Sequence, residues 1–129
     1  MAFDFPESFR FANSHEYAVL DGDFVRIGIS AFAVDQLGDI VFVDLPDIGT
    51  TLERGKSFGS VESVKAVEDM YLSISGEVVE RNDVVIDNPE DLQSDPHGKG
   101  WLLLIKPNNL SELDEMMDSS SYRAKIAPN

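Results

Sequence analysis

At 129 residues and without a single cysteine, the chain has room for one domain with a real core, but none for disulfides, thiolate metal sites or a cysteine nucleophile. Hydrophobic residues at 43% and charged residues at 26% are ordinary globular usage, which excludes a disordered or fibrous class. A formal net charge of -14 would be repelled by nucleic acid and by an anionic membrane, so the expected partners are proteins with basic docking surfaces, unless the charge serves solubility alone. No apolar run approaches membrane-spanning length, and the acidic start of the chain lacks a secretory or presequence pattern, so a cytoplasmic protein of bacterial type, or one already processed, is expected.

Residues 1–13 carry Phe3, Phe5, Phe9 and Phe11 spaced by two in pairs, as on one face of a strand, and are expected to pack as an amino-terminal arm. Residues 15–20 read as a short strand, Asp21-Gly22-Asp23 as a turn, and Val25, Ile27 and Ile29 as the alternating positions of the returning strand. Ser30 can cap a short helix through Leu37, with Ala33, Val34 and Leu37 at helical spacing and Gly38 as its stop. Ile40-Val41-Phe42-Val43 has no polar break, which predicts a central strand covered on both faces and ended by Pro46. Residues 46–55 have the composition of a turn-rich crossing.

Gly76-Glu77-Val78-Val79-Glu80 opens a further strand and echoes Gly38-Asp39-Ile40-Val41, either by chance or as the trace of an internal repeat. Residues 87–100 read as a loop dense in Asp, Pro and Gly, followed by an apolar strand at 101–105 that Pro107 closes. Residues 108–129 are expected to form a carboxyl-terminal helical segment. In it Ser111 and Asp114 resemble an acidic variant of a capping box, and Leu110, Leu113, Met116 and Met117 form a stripe of helical period.

Residues 59–71 read as two strands joined at a tight turn, with Lys65 at or beside its tip. Val61, Val64, Val67, Met70 and Tyr71 supply apolar anchors, while Ser60, Glu62, Ser63, Glu68 and Asp69 stay polar. No Asn-Gly or Gly-X dipeptide marks the turn, so Val64-Lys65-Ala66 suits a type I turn better than a primed one. On chemistry alone, a lysine there ordinarily serves solubility and discourages edge pairing.

Four stretches taken together reverse that reading: Gly38-Asp-Ile-Val-Phe-Val-Asp-Leu-Pro46, Phe58-Gly-Ser-Val-Glu-Ser-Val-Lys65-Ala66, Ser75-Gly-Glu-Val-Val-Glu80 and Ser94-Asp-Pro-His-Gly-Lys-Gly-Trp101. From about 15 to about 122, in order and without a large gap, the chain resembles the H protein of the glycine cleavage system. In that family the lysine of Glu-Ser-Val-Lys-Ala carries lipoic acid in amide linkage, so the resemblance nominates Lys65 as the attachment site. Biotin carriers usually present Met-Lys-Met and the lipoyl domains of oxo-acid dehydrogenases Asp-Lys-Ala, whereas Val64-Lys65-Ala66 resembles the H-protein form.

The resemblance implies a mainly β fold, a barrel-sandwich hybrid of lipoyl/biotinyl-domain type with short peripheral helices, in one domain spanning 1–129. It implies a carrier and not an enzyme. A pyridoxal-phosphate glycine decarboxylase (P protein) passes the aminomethyl group of glycine to the dithiolane, and a tetrahydrofolate-dependent aminomethyltransferase (T protein) removes it with release of ammonia. A dihydrolipoyl dehydrogenase (L protein) then reoxidises the dithiol, and lipoylating enzymes would be further partners. The family shelters the arm in a cleft, and the resemblance places Ser14, Glu16 and Asp69 at its lining, with Phe32 where some members have a histidine. The competing reading is an H-protein-like noncatalytic interaction module, or a lipoyl donor in the lipoylation of other proteins.

Sites for other chemistries are not assembled by the sequence. His15 and His97 are the only histidines and lack the spacing of a zinc site. His15-Glu16 reads either as an acid-base pair or as a strand-edge histidine bonded to nearby backbone. Asp83, Asp87, Glu90, Asp91 and Asp95 miss the spacing of a calcium-binding loop.

Overall fold

The computed structural model describes residues 5–126; Phe3 of the aromatic arm lies outside them. In chain order the strands are β1 (Arg10–Phe11), β2 (Glu16–Asp21), β3 (Phe24–Ile29), β4 (Ile40–Asp44), β5 (Thr51–Leu52), β6 (Ser57–Ser63), β7 (Val67–Tyr71), β8 (Gly76–Arg81), β9 (Leu103–Pro107) and β10 (Met117–Asp118). Helices α1 (Ala31–Leu37), α2 (Asp83–Asp87), α3 (Glu90–Ser94) and α4 (Ser119–Ile126), with a 3-10 turn at Leu110–Glu115, fill the connections. Seven strands form one antiparallel sheet in the order β10-β1-β2-β3-β9-β8-β5, and β4-β6-β7 form a second. The inner faces meet in one core, with Val43, Val61 and Met70 of the small sheet among Val25, Ile27, Val78 and Ile105 of the large one. Full burial of each such side chain contributes about 1.5–3 kcal/mol. The mainly β, lipoyl-domain-type fold is therefore present as a two-sheet sandwich without a closed barrel.

Several expected elements stand where their residues put them. β2 and β3 form a hairpin turned at Gly22, whose φ of 65° is open to glycine at little cost. Ser30 caps α1, its hydroxyl accepting the Ala33 N–H, and Gly38 with a φ of 80° ends the helix. Phe5, Phe9 and Phe11 pack with Tyr17, Val19 and Tyr122 into a second, largely aromatic core, with the Phe11 and Tyr122 rings stacked 4.3 Å apart.

Other expectations are corrected. β4 is an edge strand, not a central one, and Val41, at a bulge between Ile40 and Phe42, is about half exposed, as is Phe42 beside it. An unbroken apolar run reports β-propensity but does not say which residues lose water. The stretch 87–100 is not all loop: α3 lies in it and α2 ends at its first residue. Each has only five residues and no side-chain cap, so α3 is held from outside, by Gln93 bridging the Ile40 N–H and the Gly38 carbonyl at 2.9 and 2.7 Å. The cap near 111 is Asn109, which accepts the Ser111 N–H, and the turn it opens is a 3-10 helix. Met117 leaves the expected helical stripe for β10. The two echoing stretches, at 38–41 and 76–79, lead into strands of different sheets.

Candidate functional site

The lysine hairpin turns on a serine. Glu62 pairs with Val67, and the Ser63 N–H donates to the Ala66 carbonyl at 2.8 Å, which leaves Val64 and Lys65 as a two-residue loop. The Ser63 hydroxyl oxygen accepts the N–H groups of Lys65 and Ala66 at 3.3 and 3.1 Å, a serine turn in which the side chain stands in for backbone. Among the described residues His15 is the one non-glycine with a positive φ, so the loop is not a primed turn. The Val64 N–H donates to the Asp39 carbonyl at 3.0 Å, tying the loop to the start of β4. Lys65 is exposed. Of the expected anchors, Val61 and Met70 are buried, but Val64, Val67 and Tyr71 are exposed.

Beside the turn lies a cleft of about 530 Å³, bordered by Lys65, Ser14, Glu16, Phe32 and Asp69. The structure thus brings together the five residues nominated from the sequence. Its apolar wall comes from Ile29, Leu37, Val61 and Met70.

Ser14 and Glu16 owe their places to a three-residue loop at 13–15 between β1 and β2, closed by the Ala12 N–H on the Glu16 carbonyl at 2.9 Å. Its last residue, His15, adopts a φ of 79°, the left-handed conformation that three-residue hairpin loops require at that position. A histidine there costs about 1–2 kcal/mol relative to a relaxed backbone, and it is pinned by a hydrogen bond between its Nδ1 and the Tyr122 hydroxyl at 2.8 Å. That hydroxyl also meets Ser30 Oγ at 2.7 Å. Burial, reinforced by the charge of Lys125, lowers the His15 pKa, which favours the neutral imidazole. Burial pushes the Tyr122 phenol up to about 12.

Glu16 spans the two sheets. Its carboxylate accepts the Ser14 hydroxyl through one oxygen and, across the sandwich, the Tyr71 N–H of β7 at 2.9 Å through the other. Only 3% of the residue is exposed, and burial raises its pKa against the opposing effect of those bonds. His15 and Glu16 therefore do not form an acid-base pair: each serves its own network. Sequence reading missed Tyr71 and Tyr122, because a backbone N–H at a strand end and a phenol reached from 107 residues away leave no local pattern. The Ser63 turn was legible in principle, since serine before a two-residue loop is a turn former.

Beneath Tyr17 the sheet requires a glycine. Gly28 pairs with it, and a Cβ at Gly28 would sit 2.5 Å from its ring. Among the described residues no group of three or more His, Asp or Glu is placed to hold a metal ion, and no helix is long and apolar enough to cross a membrane.

The model of the family described as glycine cleavage H-protein matches residues 9–129. The glycine cleavage system H protein of Synechococcus sp. (strain CC9605) is 68% identical over 126 residues, covering 98% of both chains. That of Prochlorococcus marinus (strain NATL2A) is 66% identical over 127 residues, covering 98% of this chain and 99% of that one. A crystal structure of the H protein from Mycobacterium marinum superposes with a TM-score of 0.86 at 37% identity, covering 93% of this chain and 97% of that one. An exposed lysine on a serine-braced turn beside a cleft, in a chain this similar end to end, leaves one assignment: the protein belongs to the glycine cleavage H-protein family, the lipoyl carriers of the glycine cleavage system.

Proposed function

We propose that Lys65 is the residue through which this carrier holds its lipoyl group, and that the adjoining cleft shelters the far end of the arm. One observation carries the reading: of the five lysines, Lys65 is the one that sits on a two-residue hairpin loop and borders a cleft, among the described residues. The fit is chemical as well as positional. A cleft of about 530 Å³ with Ile29, Leu37, Val61 and Met70 on its wall suits an arm of methylene and sulfur.

When attached, the dithiolane supplies a redox-active sulfur pair, which a chain without cysteine does not have. The chain's own residues do the rest. Amide formation removes the charge of the Lys65 amine, so this residue provides attachment and reach rather than proton transfer. Ser63 and the Val64–Asp39 hydrogen bond fix the direction in which it leaves the sheet. Glu16 and Ser14 offer an acceptor and a hydroxyl at one side of the cleft, Asp69 a carboxylate on β7, and Phe32 an apolar cover where some relatives have a histidine. Together they limit water at the sheltered group.

The partners that accord with this role are glycine decarboxylase, the aminomethyltransferase, dihydrolipoyl dehydrogenase and lipoylating enzymes. We take 1–129 as one carrier domain, with 1–13 as its arm and 108–129 as its closing segment; the burial of Phe5, Phe11 and Tyr122 in one cluster supports this. The bacterial relatives accord with cytoplasmic placement. Reconstitution with the partner enzymes tests the reading. Lys65→Arg is expected to lower glycine-dependent turnover by at least about a hundredfold while leaving the melting curve in place. Retained turnover would place the arm elsewhere.

A further inference from the structure

Nine large hydrophobic side chains are exposed among the described residues, and five of them, Val41, Phe42, Val64, Val67 and Tyr71, stand on or beside the lysine hairpin, with Phe42, Val64 and Val67 at its loop end. The register puts Phe42 and Val67 on one face: Phe42 pairs with Glu62, and Glu62 with Val67, so Phe42, Glu62 and Val67 form one row across β4, β6 and β7, with Val64 in the adjoining loop. The adjacent positions Val43 and Val61 are buried in the core, which turns the Phe42 row outward. The next row on that outer face is Asp44, Ser60 and Asp69. Phe42 is 50% exposed, Val67 63% and Val64 74%.

Single exposed apolar residues are ordinary, but β4 and β7 are both edge strands, where exposed apolar side chains invite aggregation and are normally avoided. Phe42, Val64 and Val67 do not border the cleft, and of the residues in the two rows Asp69 alone does, so the apolar part of this face is separate from the arm's shelter, and Lys65 stands where the two meet.

We propose that this outer face is the docking surface for the enzyme that joins the lipoyl group to Lys65, and that it receives an apolar contact ringed by lysine or arginine. The inference rests on the reading of Lys65 given above. Reach selects the occupant. An enzyme that forms the amide must bring its acyl donor to Nζ, roughly 6 Å from the backbone, and so must cover the residues flanking the loop. Enzymes that work at the far end of the attached arm need not cover those residues. Charge selects the chemistry: Asp44, Glu62 and Asp69 stand on the face, and no arginine or lysine shares its two rows. In the attachment step the Lys65 ammonium sheds a proton and its amine attacks the carbonyl carbon of an activated acyl donor. The C–N bond forms, the bond to the donor's leaving group breaks, and a second proton passes to solvent.

The test uses full-length protein from lipoate-deprived cells, the cognate lipoylating enzyme and its acyl donor, with attachment followed by mass. Phe42→Ser and Val67→Ser are each expected to raise the KM for the carrier about tenfold with kcat within twofold of the parent. Glu62→Lys is expected to flatten the dependence of kcat/KM on salt. The same variants, lipoylated to completion beforehand, are expected to support glycine-dependent turnover within twofold of the parent, which also shows that they are folded. Unchanged KM values overturn the proposal. So does an equal loss of glycine-dependent turnover, which would assign the face to the cleavage enzymes, or a parent dimer that Phe42→Ser dissolves, which would assign it to a second copy. Attachment at another lysine of the parent overturns the Lys65 reading itself, and peptide mapping tells that outcome from the others.

Discussion

Glu16 keeps a carboxylate where water is scarce, held by the Ser14 hydroxyl and the Tyr71 N–H, and burial still raises its pKa above the ordinary value of 4.5. A carboxyl whose folded pKa lies above its unfolded one binds more protons in the folded state between the two values. Its stabilising effect is complete below 4.5 and is lost as pH rises through the raised folded value. Glutamine can keep the bond from Tyr71 and donate to Ser14 without acquiring charge. Denaturant unfolding at a series of pH values is therefore expected to show Glu16→Gln gaining on the parent as pH rises through that window; parallel profiles would contradict the assignment. Lys65 is the opposite case. Exposed on its loop, it is expected to change the unfolding free energy by no more than about 0.5 kcal/mol when replaced by arginine. Its place could be read from the Glu62-Ser63-Val64-Lys65-Ala66 motif, whereas the hydrogen bonds that surround Glu16 could not, because they cross from one sheet to the other.

At the scale of elements, the hairpin that presents Lys65 depends on its neighbour β4. Gly59 of β6 lies against the Asp44 backbone carbonyl so closely that a Cβ would overlap it. Gly59→Ala is expected to cost about 1–3 kcal/mol and to broaden the amide signals of β4 and β6; a variant as stable as the parent would show that the sheet yields there. Gln93 braces the other end of β4 through Ile40 and Gly38, and Gln93→Ala leaves both backbone groups without that partner. It is expected to cost about 1–3 kcal/mol and to speed hydrogen exchange at the Ile40 amide, and at the Val64 amide that the same segment holds. These contacts explain which elements were legible. The β2–β3 hairpin and α1 carry their own turn and cap residues, Gly22, Ser30 and Gly38, and stand as expected. α2 and α3 lack such residues and exist because the tertiary structure holds them, and β4 is an edge because its bulge and pairing decide that, not its apolar run.

For the whole molecule, the resemblance carried the fold further than periodicity did, since alternation alone supports only a small β-rich domain and says nothing of two sheets. The charge of -14 acts at this scale. Screening shortens from about 30 Å at 0.01 M salt to about 10 Å at 0.1 M, so the KM of the partner enzymes for the carrier is expected to rise over that range, and a flat profile would leave the charge to solubility. The arm's position is tested most directly by peptide mapping, by mass, of protein purified from its native host supplied with lipoate, beside Lys65→Arg from the same host. The lipoyl increment is predicted on the peptide containing Lys65 and absent from the variant. An increment on Lys56, Lys99, Lys106 or Lys125, or one that survives the substitution, would contradict it.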